Sequence, residues 1–324
     1  MDIASLFYPV MLMVVGIFLL IKGGNATIDS AVFIARRFGL SPMVVGFTIL
    51  AFGTSLPELI VSILSVLRGS EGIAMGNVIG SNIANILMVL GAAAMITTMH
   101  VTISKGLKKD MVMMLASSFL LMGLMLHGEI GRAAGFAMVT ILLGYVFMQY
   151  RMAMKGEIEI DEEELQDFKH PAQPYVFLVL GLIGVALGAE VLVRGASQSA
   201  GILGVPEDVI ALSIIAFGTS LPELSTSIIG ARRGHSAMAL GNIVGSNVFN
   251  VLMIIGITAM VKPIAQDSYA HQLIDFDIWF MLAVSLGFAA LALGYKKITR
   301  PVGLVFLGLY VAYTIYIYAI NVVH

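Results

Sequence analysis

The nine residues AFGTSLPEL occur twice in this chain, at 51–59 and again at 216–224. A second phrase follows each copy, GNVIGSNIAN at 76–85 and GNIVGSNVFN at 241–250. Both phrases repeat at an offset of 165 residues, so no insertion separates the paired elements. A chain that repeats itself at a fixed spacing contains an internal duplication, and each half should build the same structural unit.

The composition is that of a membrane protein. Apolar residues account for 59% of the 324 residues and charged residues for only 12%, whereas soluble domains carry about a quarter charged residues. Apolar segments of about 20 residues, each long enough to span a bilayer as a helix, recur along the chain. They predict ten spans, at about 8–24 (or 8–35), 42–67, 73–97, 110–127, 132–150, 175–200, 207–231, 237–261, 275–294 and 301–321.

Several classes of protein and site are excluded. The chain has no cysteine, which rules out disulfides and thiolate metal sites. Its net charge of −2 comes without a cluster of lysine or arginine, so nucleic acid is not an expected partner and the lipid bilayer is. The sequence contains no nucleophile–base pair or cofactor motif, so we expect neither an enzyme nor a bound cofactor. No protein partner is evident.

Loop charges predict the orientation, because lysine and arginine concentrate in cytoplasmic loops. One alternate set of loops carries thirteen basic residues and the other only three. The thirteen are Arg36, Arg37, Lys105, Lys108, Lys109, Arg151, Lys155, Lys169, Arg232, Arg233, Lys296, Lys297 and Arg300. This places the acidic linker at 152–173 in the cytoplasm and both termini outside the cell membrane.

The two halves, 1–151 and 174–324, then contain five spans each. Because five is odd, the second half must insert upside down relative to the first. Inverted repeats that meet at one site are the architecture of a secondary transporter.

Each copy of the first phrase should break a helix in mid-membrane. Pro57 has no N–H, and its ring clashes with the carbonyl of Gly53, so nearby carbonyls such as that of Ala51 should lose regular partners. Such backbone is tolerated at membrane depth only where it lines a cavity or binds something. Glu58 and Glu223 lie beside the two breaks, and ionisable residues inside a membrane are functional candidates by default.

Polar residues near each glutamate are spaced to face the same way. Thr54 and Ser55 lie four and three residues before Glu58, and Ser81 and Asn85 are four apart in the next helix. Two copies related by a pseudo-two-fold axis would bring only oxygen ligands to one point. Such ligands suit Ca²⁺, Mg²⁺ or alkali ions rather than zinc or copper. The alternative, that these residues only hold helices together, does not explain two identical copies with glutamate at the same point.

These phrases resemble the two alpha-repeats of the sodium/calcium exchanger branch of the calcium/cation antiporter superfamily, in its prokaryotic form. GTSLPE and GNxxGSN each occur twice at the family's spacing, and the resemblance covers the whole chain. It implies an all-α polytopic membrane protein with ten transmembrane helices in two inverted five-helix repeats. It also implies an antiporter that exchanges Na⁺ for Ca²⁺ by alternating access, with the first and sixth spans moving against the rest.

The resemblance also implies a set of ligands for the transported Ca²⁺ and Na⁺. They are Glu58, Glu223, Thr54, Thr219, Ser55, Ser220, Ser81, Ser246, Asn85, Asn250, Ala51 and Ala216. The glutamates and the threonine carbonyls would hold Ca²⁺, the serines and alanine carbonyls would hold flanking Na⁺, and the asparagines would complete the centre. Some relatives, including the potassium-dependent exchangers, carry aspartate at the position of Asn250, and because that carboxylate is absent here we expect exchange that is independent of K⁺. One Ca²⁺ or two Na⁺ would neutralise the two glutamates, and the flanking serines and carbonyls leave room for a further Na⁺ whose charge is uncompensated, so we also expect exchange to be electrogenic.

Two other functions remain open on the sequence alone. The glutamates could carry protons in a proton-coupled cation exchanger, and the broken helices could line a cation channel, although a channel needs no inverted duplication. Asp110 and Asp275 lie at matching positions near the starts of spans, where we expect them to cap helices.

Overall fold

A computed structural model describes residues 6–154, 168, 170–203 and 216–323 of the chain. Nearly all of these residues lie in helices. The α-helices are α1 (Phe7–Arg37), α2 (Pro42–Val45), α3 (Ala51–Thr54), α4 (Leu56–Leu67), α5 (Glu71–Ala84), α6 (Gly91–Ile96), α7 (Lys105–His127), α8 (Arg132–Met154), α9 (Gln173–Ile202), α10 (Ala216–Thr219), α11 (Leu221–Arg232), α12 (Ser236–Phe249), α13 (Gly256–Val261), α14 (Ile278–Gly294) and α15 (Arg300–Val323). Wider π-helical turns occupy Gly46–Leu50, Asn85–Leu90, Asn250–Ile255 and Leu273–Asp277.

The predicted membrane architecture is confirmed. Within the described residues, eight helical runs are long and apolar enough to cross a membrane, and the bent run from Pro42 to Leu67 makes a ninth. The described part of the seventh predicted span comprises α10 and α11, while residues 204–215 lie outside the description. The acidic part of the predicted linker, at 157–167, also lies outside it. The first span is the longer of the two predicted alternatives, since α1 continues to Arg37.

The two halves are inverted, as α1 and α9 demonstrate. These helices pack along their whole length, with Gly16 against Gly188 and Gly23 against Gly181. Rising residue numbers on one helix meet falling numbers on the other, so the pair is antiparallel. The offset of 165 residues converts Gly16 into Gly181 and Gly23 into Gly188, so the pseudo-two-fold axis exchanges the two contacts.

The helices of the second phrase form the centre of the molecule. In the most apolar stretch of 18 residues, 89% of the residues of Ser236–Val261 and 78% of those of Glu71–Ile96 are buried, against at most 44% for the other long helices described. Glycines allow α12 to come close to its neighbours. A Cβ on Gly241 would lie 2.3 Å from the carbonyl oxygen of Met43, and one on Gly245 would lie 2.4 Å from that of Phe47.

Two short strand pairs were not anticipated. Strand β1 (Met99–His100) pairs antiparallel with β4 (Lys297–Ile298), and β2 (Glu129–Ile130) pairs antiparallel with β3 (Ile264–Ala265). Each pair joins a loop of one repeat to a loop of the other. The repeats are therefore connected at their loops as well as through their helices.

Candidate ion-binding site

The predicted helix break is present in both repeats. Helix α3 ends at Thr54, and Ser55 (φ −85°, ψ 1°) leads into α4 with a bend of 42° between the two parts of the span. Ser220 has nearly the same conformation between α10 and α11 (φ −90°, ψ 4°). Pro57 consequently lies in the first turn of α4. Backbone N–H groups in a first turn have no partner within their own helix, so the missing N–H of proline costs α4 no hydrogen bond.

Each break places a glutamate in the first turn of the following helix, Glu58 in α4 and Glu223 in α11. The partial positive charge of a helix N-terminus stabilises a carboxylate there. Both side chains are buried, and their charges repel each other. Neither glutamate takes part in the ion pairs found among the described residues. Two such carboxylates require a cation or a proton to offset their charge.

Buried oxygens without a hydrogen-bond partner are frequent among the residues of the predicted site. Within the described residues, thirteen buried side-chain polar atoms have no hydrogen-bond partner, and seven of them belong to residues of the predicted site. The seven atoms are Ser55 Oγ, Glu58 Oε2, Asn85 Oδ1, Glu223 Oε1 and Oε2, Ser246 Oγ and Asn250 Oδ1. Buried polar atoms are normally satisfied, because an unmade hydrogen bond is costly. A cluster made only of oxygens matches the ligand preference of a hard cation.

The two repeats meet at this cluster. Thr54 Oγ1 donates a hydrogen bond to Asn242 Oδ1 in the other half of the chain at 3.4 Å. The Glu223 carboxylate lies beside the hydroxyls of Thr54 and Ser55, although it meets neither at full hydrogen-bonding geometry. The first phrase of one repeat therefore faces both phrases of the other, as the pseudo-symmetry predicts.

Four asparagines form a reciprocal pair of hydrogen bonds across the same interface. Asn85 Nδ2 donates to Asn247 Oδ1 at 3.2 Å, and Asn250 Nδ2 donates to Asn82 Oδ1 at 3.1 Å. Asn82 and Asn247 were missed by sequence reasoning, although both are part of the repeated GSN. Repetition of every polar residue in the phrase was the signal that could have identified them.

The first asparagine of the second phrase supports the helix that carries the glutamate. Asn77 Nδ2 donates to Ser62 Oγ at 3.1 Å and to the carbonyl oxygen of Glu58 at 3.3 Å. In the second repeat Asn242 Nδ2 donates to Ser227 Oγ, also at 3.1 Å. Sequence reasoning missed these residues as well. Their contacts hold α4 and α11 in place beside the central helices.

One backbone expectation is wrong. The carbonyl oxygen of Ala51 keeps a helical partner, because the amide of Ser55 donates to it at 3.1 Å and Thr54 Oγ1 contacts it at 3.5 Å. A carbonyl oxygen has two lone pairs, so this bond alone does not prevent it from binding a cation. The other predicted ligands lie at Ser81, buried in α5, at Thr219, half-buried at the end of α10, and at Ala216, which begins α10.

The capping predicted for Asp110 and Asp275 is also wrong. Ser104 caps α7, while Asp110 lies six residues further along, is buried, and accepts a hydrogen bond from the hydroxyl of Tyr145. Asp275 lies inside the π-helical segment before α14. Asp110 thus joins α7 to α8.

Comparisons with known proteins cover both halves of the chain. The family described as "Sodium/calcium exchanger protein" matches residues 8–151 and 174–319. Inner membrane protein YrbG of Escherichia coli is 33% identical over 319 residues, covering 95% of this chain and 96% of that protein. Sodium/calcium exchanger MaX1 of Methanosarcina acetivorans is 30% identical over 348 residues, covering 96% and 98%.

Solved structures agree with the sequence relatives. A structure of the sodium-calcium exchanger NCX_Mj superimposes with a TM-score of 0.79 at 31% identity, covering 95% of this chain and 98% of that one. The helix order, the inverted halves and the matched segments all agree with a multi-pass membrane transporter rather than an enzyme. The chain belongs to the sodium/calcium exchanger family.

Proposed function

We propose that this protein is a secondary active antiporter that moves Na⁺ and Ca²⁺ in opposite directions through one central site. The observation that carries the proposal is the cluster of seven buried, unpaired side-chain oxygens contributed by both repeats. Ca²⁺ takes six to eight oxygen ligands in flexible geometry, which this cluster and the neighbouring carbonyls can supply. The proposed ligands are the twelve residues named from the sequence.

Exchange follows from competition for two carboxylates. Glu58 and Glu223 can be neutralised by one Ca²⁺ or by two Na⁺, so binding of one kind of ion excludes the other. An empty site would carry two bare charges through a closed, dry state, and this penalty resists the crossing of an unloaded transporter. NCX_Mj is described in structures soaked with Na⁺ together with Ca²⁺ or Sr²⁺. By that similarity we extend both ions to this chain.

The finer features of the proposal rest on charge. Thirteen basic residues in one set of loops support a position in the cell membrane with both termini outside and the linker at 152–173 in the cytoplasm. Asn85 and Asn250 add no charge to the two glutamates. Serine hydroxyls and carbonyls leave room for a further Na⁺ whose charge is uncompensated, which supports electrogenic exchange independent of K⁺.

The decisive experiment is radioactive Ca²⁺ uptake into Na⁺-loaded membrane vesicles that contain the purified protein. We expect uptake that depends on the outward Na⁺ gradient and disappears in the Glu58→Gln/Glu223→Gln double variant. The matched control is Glu190→Gln, which changes an exposed glutamate paired with Arg194 on α9. Wild-type uptake by the double variant would contradict the site.

The same assay separates the alternatives. The two buried glutamates favour proton-coupled exchange as the second candidate, which predicts uptake driven by a pH gradient without Na⁺. A channel predicts Ca²⁺ entry with no opposing ion gradient. Either result would replace Na⁺-driven exchange as the function.

A further inference from the structure

The amide of Asn82 has a fixed orientation. Its Nδ2 faces two acceptors, the backbone carbonyl oxygen of Asn247 at 3.4 Å and Sδ of Met281 at 3.6 Å. If Oδ1 pointed toward those atoms, it would face two other acceptors and be repelled by them, so Oδ1 must point the other way. There it accepts the hydrogen bond from Nδ2 of Asn250.

The second half of the network repeats this arrangement. Nδ2 of Asn247 faces Sδ of Met114 at 3.8 Å, and Oδ1 accepts from Nδ2 of Asn85. Met114 lies on α7 and Met281 on α14, the fourth span of each repeat. A thioether sulfur is a weak acceptor but not a donor, so it still distinguishes the two ends of an amide. Met114 and Met281 thus help to orient these amides in addition to filling space.

These contacts determine what the site asparagines present to an ion. With Nδ2 engaged, Asn85 and Asn250 each keep a buried Oδ1 that no described residue bonds. A flipped amide would place two N–H donors where that oxygen now lies. The donors would repel a cation, and the flipped oxygen would oppose the oxygen of Asn82 or Asn247.

We propose that Asn82 and Asn247 are positioning residues that lock the amides of Asn250 and Asn85 with oxygen toward the transported cation. The inference rests on the proposed ion site and adds to it the reason why a neutral asparagine can serve as a cation ligand. Neither positioning residue is required to touch the ion. The specificity of the ion site for cations then depends on residues that contact its ligands and need not contact the ion.

The test is a double-mutant cycle on the purified transporter, with Ca²⁺ affinity measured as the concentration dependence of thermal stabilisation. Asn82→Leu keeps a similar size and removes the acceptor. We expect Ca²⁺ affinity to fall about tenfold, the effect of one lost hydrogen bond at a buried group. In an Asn250→Asp background the same change should cost little, because a carboxylate presents oxygen in either orientation.

Each outcome decides the question. An equal loss of affinity in both backgrounds would show that Asn82 acts only through packing and would overturn the lock. An unchanged affinity in Asn82→Leu, together with weaker binding in Asn250→Ala, would overturn the lock while the ion site stands. If Ca²⁺ binding were unchanged in Glu58→Gln, the proposed ion site itself would be wrong. If Asn82→Leu does not fold, the equivalent pair of the other repeat gives the same test. Asn247→Leu is then compared in the wild-type protein and in the Asn85→Asp variant.

Discussion

Gly16 of α1 lies so close to Leu192 of α9 that a Cβ on Gly16 would stand 2.6 Å from the backbone nitrogen of Leu192. Gly23 approaches the carbonyl oxygen of Gly181 in the same way, at 2.8 Å from an added Cβ. Real side chains do not tolerate such distances, so any larger residue must push the helices apart. Small residues at such interfaces are how membrane helices achieve close packing.

Gly16→Ala should therefore destabilise the protein by about 1–3 kcal/mol, the usual cost of overpacking, and should slow exchange. Gly144→Ala is the matched control, because a Cβ there meets no described atom within 4 Å. Alanine is a better helix former than glycine by about 1 kcal/mol, so the control should be neutral or stabilising. Thermal unfolding and Na⁺-driven uptake measure both effects. Equal changes at the two positions would contradict the close contact.

Glu58→Gln should abolish Ca²⁺ transport and yet raise the melting temperature of the ion-free protein. The substitution removes one of two buried charges that repel each other, while the shape of the side chain is almost kept. Stabilisation by Ca²⁺, which for a site filled at a hundred times its Kd is about 2.7 kcal/mol, should disappear. Glu223→Gln should behave alike. A variant that still gains stability from Ca²⁺ would place the ion elsewhere.

Pro57→Ala should weaken ion affinity by several-fold without lowering stability. Alanine restores an N–H, which lets α3 and α4 approach one regular helix and withdraws carbonyls from the site. Pro301→Ala is the control, because Pro301 lies in the first turn of α15, away from any break. Affinity and turnover are read from the concentration dependence of uptake. Unchanged values in Pro57→Ala would remove the support for carbonyl ligands at this break.

Exchange should respond to membrane voltage and should not require K⁺. With asparagine at positions 85 and 250, the site has only the charges of its two glutamates, and a third Na⁺ would move an uncompensated charge worth about 2.3 kcal/mol per 100 mV. Uptake should therefore quicken at one polarity of an imposed potential. Replacement of K⁺ by choline should leave the rate unchanged. Loss of uptake in choline, or a rate insensitive to voltage, would each count against this assignment of charge.

The features that could be predicted from sequence are those that follow from a residue's own chemistry. A proline such as Pro57 interrupts a helix when it falls in the interior of a span, and a glutamate such as Glu58 is costly wherever a membrane buries it. Repetition of both at a fixed offset, with an odd number of spans in each half, was sufficient to predict two inverted repeats. None of these inferences required knowledge of which side chains touch.

The features that could not be predicted depend on helix rotation. The choice of Asn82 as the partner of Asn250 depends on how α5 and α12 are turned toward each other. Asn85 and Asn250 also begin π-helical segments, in which wider turns shift the direction of every following side chain. A period of 3.6 residues counted along the sequence fails at such points. The two-residue strands are likewise too short to leave a pattern.

Those strands have a bearing on how such a chain arose. In each strand pair, one strand comes from the first half and the other from the second, so neither half contains a complete pair. A free five-helix subunit of this design would expose an unpaired edge at each membrane face, and an oppositely inserted copy supplies the matching edge at both. The loops are thus paired as two copies of one five-helix unit, inserted in opposite orientations, would pair. All four strands lie outside the linker at 152–173, so a cut there would leave both strand pairs in place.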